Sequence, residues 1–144
     1  MDQLPASCHI RTYCESDHTG VVALWDQVFV DPAPRNEPGR VIAAKTVWDQ
    51  ELFFVAEIDG RIVGTVMAGY DGHRGWLYTV AVAPSHRRMR IGAALIRHAE
   101  AALQSLGCVK INLQVLSPNI GAVTFYQRLG YHIEERISMG KTLD

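Results

Sequence analysis

No stretch of this chain approaches the roughly 18 consecutive apolar residues that a membrane-crossing helix needs, so no bilayer partner is expected. Met1 to Ser7 lacks both the basic start and the apolar stretch of a secretory leader. Cysteine is scarce: Cys8, Cys14 and Cys108 are odd in number and have no C-x-x-C spacing. That excludes a zinc ribbon or a disulfide framework and predicts reduced thiols in a cytoplasmic protein with no metal. Nothing beside Cys14 or Cys108 in the sequence would activate a thiol nucleophile, and buried structural thiols are the expectation. An excess of charge of one sign is also missing. The net charge is −1, which removes the electrostatic basis for a nucleic-acid partner. Repeats, low-complexity tracts and linkers are absent as well.

What is present is a chain of 144 residues, 48% hydrophobic and 20% charged, which fits one globular domain over residues 1–144. Its organising stretch is Tyr78 to Leu95, YTVAVAPSHRRMRIGAAL. An apolar strand-like run stops at Pro84, four bases follow (His86, Arg87, Arg88, Arg90), and Ile91-Gly92-Ala93-Ala94-Leu95 opens a helix. A strand, a basic turn and a helix start can together hold an anion. The first N–H groups of a helix are unpaired, its dipole is positive there, and Gly92 permits close approach of a phosphate or pyrophosphate. An ordinary basic strand–helix loop is the competing reading.

The rest of the chain alternates strand and helix signals. Cys8 to Tyr13 reads as a strand. Ser16 or Asp17 can cap a helix carrying Val21, Val22, Leu24, Trp25, Val28 and Phe29. Asp31 to Asn36 is a proline-fixed loop, and a second helix starts near Pro38 with Val41, Ile42, Lys45 and Trp48. Leu52 to Ile58 and Arg61 to Tyr70 flank Asp59-Gly60, which predicts a hairpin with a type I′ turn. Asp71 to Gly75 turns the chain into the next strand. From Gly92 a helix with Leu95, Ala99, Ala102, Leu103 and Leu106 on one stripe runs to Gly107. Val109 to Leu116 is a strand, Asn119 to Leu129 a helix with Phe125 and Leu129 in the core, and Tyr131 to Leu143 one bent or two short strands. This order predicts an α/β fold with a mixed, mostly antiparallel sheet, the Tyr78 strand and the Val109 strand being parallel through a right-handed helical crossover.

Arg87-Arg88-Met89-Arg90-Ile91-Gly92 resembles the acetyl-CoA signature [QR]-x-x-G-x-[GA] of the GNAT superfamily of N-acetyltransferases. Arg90 departs from it by standing where the family most often has glycine; its N–H remains usable if its φ is negative. Asn119-Ile-Gly-Ala122-Val-Thr-Phe125-Tyr126-Gln-Arg128-Leu-Gly130-Tyr131 resembles the family's N-x-x-A-x-x-[FL]-Y-x-[KR]-x-G-[FY] segment at every fixed position. Gly64 to Gly75, Ser138 to Lys141 and Asn36-Glu37-Pro38 are similar to a small bacterial YpeA-like branch of that family.

The resemblance implies the GNAT fold, with the fourth and fifth strands splayed around an acyl-pantetheine arm. It implies acetyl-CoA as co-substrate, held by Val80, Ala81, Val82, Arg87, Arg88, Met89, Arg90, Ile91, Gly92, Ala93, Asn119 and Ala122. It also implies a backbone N–H near Val80 to Val82 for the thioester carbonyl, and Tyr126 as general acid for the departing thiolate. Trp25, Arg35, Asn36 and Glu37 fall in or beside the flap that closes over the acceptor, an amine of a small molecule or of a protein N-terminus. A homodimer is left open. A packing aromatic with a satisfied hydroxyl is the plainer reading of Tyr126.

The general base stays open. Ribosomal-protein alanine acetyltransferases resemble this chain but have a glutamate where it has Gln114, in Leu113-Gln114-Val115, and an amide accepts no proton. Glu57, Asp71, His73 and a water chain remain. Glu57 is expected to face solvent and Asp71 to make an Asx turn. A lysine-type amine, pKa ~10.4, is neutral in about one molecule per thousand near pH 7.4, whereas an α-amine, pKa ~8, starts nearly competent. A base therefore matters for one acceptor class and little for the other. A non-catalytic acyl-CoA-binding module on the same fold is the alternative function.

Overall fold

The alternating run Cys8–Thr12 forms β1, and the Asp-Gly hairpin forms β2 (Phe53–Ile58) and β3 (Arg61–Tyr70). In the computed structural model, which describes residues 4–30 and 33–143, Asp59 and Gly60 have φ of 50° and 79°. Both signs are those of the expected type I′ turn. β4 (Gly75–Val82) and β5 (Ile111–Leu113) complete a sheet of order β1-β2-β3-β4-β5, antiparallel except for β4 and β5, which are parallel. The mixed sheet expected from the element order is present. Of the expected proline-fixed loop, Asp31 and Pro32 lie outside the described residues, as do Met1 to Gln3 and Asp144.

Contacts divide the chain into two compact units, Met1–Leu113 and Gln114–Asp144. The first holds the sheet with α1 (His18–Val28), α2 (Pro38–Asp49) and α3 (Ile91–Ser105). Its core is built from Phe53, Val55, Val66 and Met67 of the central strands with Val21, Leu24, Ile42, Leu95, Ile96 and Leu103 of the helices. The buried stripe of α3 begins one turn earlier than its apolar spacing suggested, at Ile91, and leaves Leu106 half exposed. Gly64 sets how closely α3 lies on β3. A Cβ there would stand 2.8 Å from Leu95 Cδ1 and 3.2 Å from the Ala81 carbonyl, so any side chain would push the helix away. Gly107, at φ 94°, ends the α3 region as expected.

Asp17 stands at the start of α1, but its carboxylate does not cap the helix. It accepts instead from the Cys14 N–H at 2.9 Å and from two nitrogens of Arg11 at 2.7 and 2.9 Å. α2 buries Ile42 and Lys45, while Trp48 is 85% exposed. Lys45 keeps its charge partnered inside. Its ammonium donates to the Ala68 carbonyl and, at 2.7 Å, to the Tyr78 hydroxyl, and lies 2.7 Å from Asp49 Oδ1.

The second unit contains α4 (Ile120–Arg128), started by Asn119, whose side-chain oxygen accepts from the Ala122 N–H at 3.1 Å. Gly130, at φ 97°, ends it. Phe125 and Leu129 are half buried, not the core residues that their spacing suggested. Among the described residues, 131–143 contain no strand, which corrects the expected terminal strand or strands. Ile133, Ile137, Met139 and Leu143 are exposed there. An alternating pattern makes a strand only where a neighbouring edge accepts its hydrogen bonds.

Candidate active site

The β4–β5 ladder contains three pairs, Gly75–Ile111, Trp76–Asn112 and Leu77–Leu113, and then stops. From Tyr78 to Val82, β4 is paired on its β3 side only among the described strands. Pairing of the two parallel strands is thus confined to the first three residues of β4. Hydrogen-bonded and non-bonded pairs alternate along an antiparallel ladder. The Ala83 N–H donates to the Val63 carbonyl at 2.8 Å, so the N–H and carbonyl of Val82 face away from β3. The Val82 carbonyl accepts a long bond, 3.4 Å, from Arg87 Nε.

The same strand contains a bulge. Thr65 pairs with Ala81 and Met67 with Tyr78, so Thr79 and Val80 together oppose Val66. Thr79 has φ 51°. A β-branched residue in the left-handed region is a conformational outlier of the kind that clusters at working sites. Its carbonyl accepts from the Thr65 hydroxyl at 3.0 Å, and that hydroxyl accepts from Trp25 Nε1 at 2.9 Å.

After β4 the chain passes through a short 3-10 turn, Pro84–His86, to the start of α3. Arg87, Arg88 and Arg90 are exposed. Arg88 and Arg90 have φ of 64° and 62°. The condition that Arg90 have negative φ is therefore not met. Its backbone takes the left-handed form natural to glycine, so the course of a glycine turn is kept at a conformational cost of about 1 kcal/mol. The α3 ladder begins with Ala94 N to Arg90 O at 3.1 Å, leaving the N–H groups of Ile91, Gly92 and Ala93 without an acceptor inside the helix. These donors, the helix dipole and the adjoining guanidiniums suit a pyrophosphate. Replacing Arg90 by glycine should relieve the strain and raise stability by about 1 kcal/mol. The corresponding rise in melting temperature, about 2–4 °C for a chain of this size, would be read by thermal unfolding.

In the second unit, Tyr126 is packed edge-on against Phe125 and Tyr131, with ring centroids 5.0 and 5.8 Å away. Burial pushes its phenol up to about 12, so it is a proton carrier at any physiological pH. The Asn119 oxygen is committed to its cap, which leaves its amide N–H₂ as the outward-acting group. Gln114 donates to the Ser138 hydroxyl.

The acceptor residues expected around the flap divide. Trp25 is not at the surface: it is 3% exposed and stacks on Phe53, with centroids 6.0 Å apart. Its large apolar ring belongs to the core, and its one polar atom is used by Thr65. Glu37 is exposed but accepts from the Gly39 and Arg40 N–H groups at 3.0 and 2.9 Å, capping α2. These bonds hold its carboxyl below the usual range. Arg35 and Asn36 stand exposed in the short turn Pro34–Asn36.

Two base candidates are likewise committed. Glu57 accepts from Arg11 Nη2 at 2.6 Å and Nε at 3.1 Å. Asp71 accepts from the Arg74 and His73 N–H groups at 2.7 and 2.8 Å, which lower its pKa, in the Asx turn expected of it. His73 is exposed on that turn. Sequence reading missed Thr65 and the bulge at Thr79; a threonine and a strand run gave no signal of either.

Known proteins bear on this arrangement. The model of the Acetyltransferase (GNAT) family matches residues 19–131, spanning both units. An acetyltransferase of Yersinia enterocolitica serotype O:8 is 40% identical over 134 residues, covering 93% of this chain and 94% of its own length. Among solved structures, Ard1 from Thermoplasma volcanium superposes with a TM-score of 0.79 at 22% identity, over 90% of this chain and 85% of that one. The aminoglycoside acetyltransferase AAC(6′)-Iy, in complex with the bisubstrate analogue CoA-S-monomethyl-acetylneamine, gives a TM-score of 0.76 at 18% identity, over 95% and 99% of the two chains. At those identities the structures speak to the fold, while the family match and the Yersinia relative, over nearly the whole chain, place this protein in the GNAT acetyltransferase family.

Proposed function

We propose that residues 1–144 work as one domain that transfers an acetyl group from acetyl-CoA to an amine. The observation that carries this is the succession, within one segment, of a strained bulge at Thr79, a β4 edge that no described strand pairs from Tyr78 to Val82, and a left-handed turn feeding three N–H groups of α3 with no acceptor in the helix. Acetyl-CoA supplies the acyl thioester. Arg87, the turn 88–90 and the N–H groups of Ile91 to Ala93 suit its pyrophosphate, and the Val80 to Val82 edge suits its amide-bearing arm. By their place in the second motif, Asn119 and Ala122 are assigned to the same co-substrate. Tyr126, protonated by its buried setting, serves as donor to the leaving sulfur.

The acceptor is an amine that needs little help to lose its proton. Glu57 is bound to Arg11 and Asp71 to backbone N–H groups, so neither carboxylate is at liberty to act as base, and of the four candidates only His73 and a water chain remain. That favours an α-amine, pKa ~8, over a lysine-type amine, pKa ~10.4. A panel of small amines and N-terminal peptides, assayed by release of free thiol, should give turnover with α-amines that levels off above about pH 8. Any lysine-type activity should instead climb about tenfold per pH unit. Tight binding of acetyl-CoA with no thiol release from any amine would mark an acyl-CoA-binding module instead.

Arg35 and Asn36 are assigned to the acceptor side. Arg35→Ala is expected to change the acceptor KM several-fold, roughly the effect of losing one charge-assisted contact, and to leave the KM for acetyl-CoA nearly constant. Glu37→Ala should chiefly lower the melting temperature, because it removes the α2 cap. Equal shifts in both KM values for Arg35→Ala would make the loop structural.

A further inference from the structure

We infer that Trp25 and Thr65 are positioning residues that aim the Val80 N–H at the acyl carbonyl. This rests on the acetyltransferase reading above. Thr65 is fully buried and Trp25 nearly so. An indole N–H can only donate and a carbonyl can only accept. The Thr65 hydroxyl therefore has one orientation open to it, accepting from Trp25 Nε1 at 2.9 Å and donating to the Thr79 carbonyl at 3.0 Å. The relay spans α1, β3 and β4, and it ends on the one β4 residue with positive φ.

The consequence follows from peptide geometry. The Thr79 carbonyl and the Val80 N–H belong to one planar trans unit and point in opposite directions. Fixing the carbonyl on Thr65 therefore directs the Val80 N–H away from Thr65. A hydrogen bond accepted at the carbonyl also polarises the same unit and strengthens its N–H as a donor. A φ of 51° at a β-branched residue persists only where its surroundings over-determine it. The buried relay supplies that constraint. The bulge is thereby a fixed donor site and not a loose irregularity of the ladder.

Three variants test this: Thr65→Val, which keeps the shape without the hydroxyl, Thr65→Ser, which restores the hydroxyl, and Trp25→Phe, which removes the N–H. One oxyanion donor is worth about 10²–10³-fold in kcat, so a misdirected one should cost on the order of 10- to 100-fold. Thr65→Val should show that loss with its affinity for CoA within about twofold of wild type, and Thr65→Ser should recover most of it. Trp25→Phe should fall between the two. A folded Thr65→Val with wild-type kcat, or a Thr65→Ser no better than Thr65→Val, overturns the inference.

A second readout does not depend on turnover. In wild type the Val80 amide proton resonance should respond differently to acetyl-CoA and to CoA, which differ only in the acetyl group, and Thr65→Val should abolish that difference. If no amine supports thiol release, the transferase reading fails, and the Val80 resonance still decides the aiming. Equal responses to the two ligands in wild type overturn it.

Discussion

Tyr126→Phe is expected to lower kcat by about 100-fold while leaving acetyl-CoA affinity almost unchanged, the lower end of the range for loss of a general acid. The ring and its edge contacts with Phe125 and Tyr131 survive the change, so only the hydroxyl is lost. With the phenol at about 12 and a thiol at ~8.5, complete transfer to the departing thiolate is uphill by about 3.5 units, roughly 5 kcal/mol. The hydroxyl thus acts as a hydrogen-bond donor to developing charge, with the proton passing late. Its pH signature follows. Raised by burial, the group stays protonated through the working range, so wild type and Tyr126→Phe should share one profile shape below about pH 10, at different heights. Stability linked to this residue is intact below its unfolded value of ~10 and declines as pH rises from there to about 12, because the unfolded chain ionises first. Wild-type kcat in Tyr126→Phe, with thiol release shown to be rate-limiting, would reduce Tyr126 to a packing residue.

Gly92→Val should weaken CoA binding by about 100-fold without destabilising the protein. Gly92 is the second residue of α3, and its N–H is one of three with no acceptor in the helix. A branched side chain there would keep an anion from the helix start. Losing two charge-assisted bonds of ~1.5 kcal/mol each amounts to roughly 3 kcal/mol, about two powers of ten in Kd. Valine is a better helix residue than glycine by a few tenths of a kcal/mol, so folding should not suffer. Calorimetry on the folded variant gives the answer. Unchanged affinity would remove the helix start from the binding site, and with it the assignment of Ile91 and Ala93. Arg87→Ala, which loses an exposed guanidinium and no backbone donor, should cost less, about tenfold.

These expectations draw unequally on sequence and structure. The hairpin, the long helix after the basic turn, and the Asn119 cap were legible because each is set within a few residues. Asp59-Gly60 carries its own positive φ values, and Asn119 caps a helix three positions ahead of Ala122. The parallel β4–β5 pair was legible because a helical crossover has essentially one handedness. The terminal strands failed for the opposite reason. Alternation from Tyr131 onward is a local property, whereas a strand needs an edge supplied from elsewhere.

By itself the sequence determined the order of elements, the turn chemistry, the basic turn before α3 and the family to which both motifs belong. All of these depend on contacts between near neighbours in the chain. Only the tertiary structure decided that Trp25 turns inward to Thr65, 40 positions away, and that Arg11 occupies Glu57 across 46. It also decided that Thr79 and Val80 share one partner residue and that Arg90 adopts a glycine conformation. Strand register and buried polar partners follow from which surfaces meet when the core closes, and no local pattern of residue types encodes that meeting.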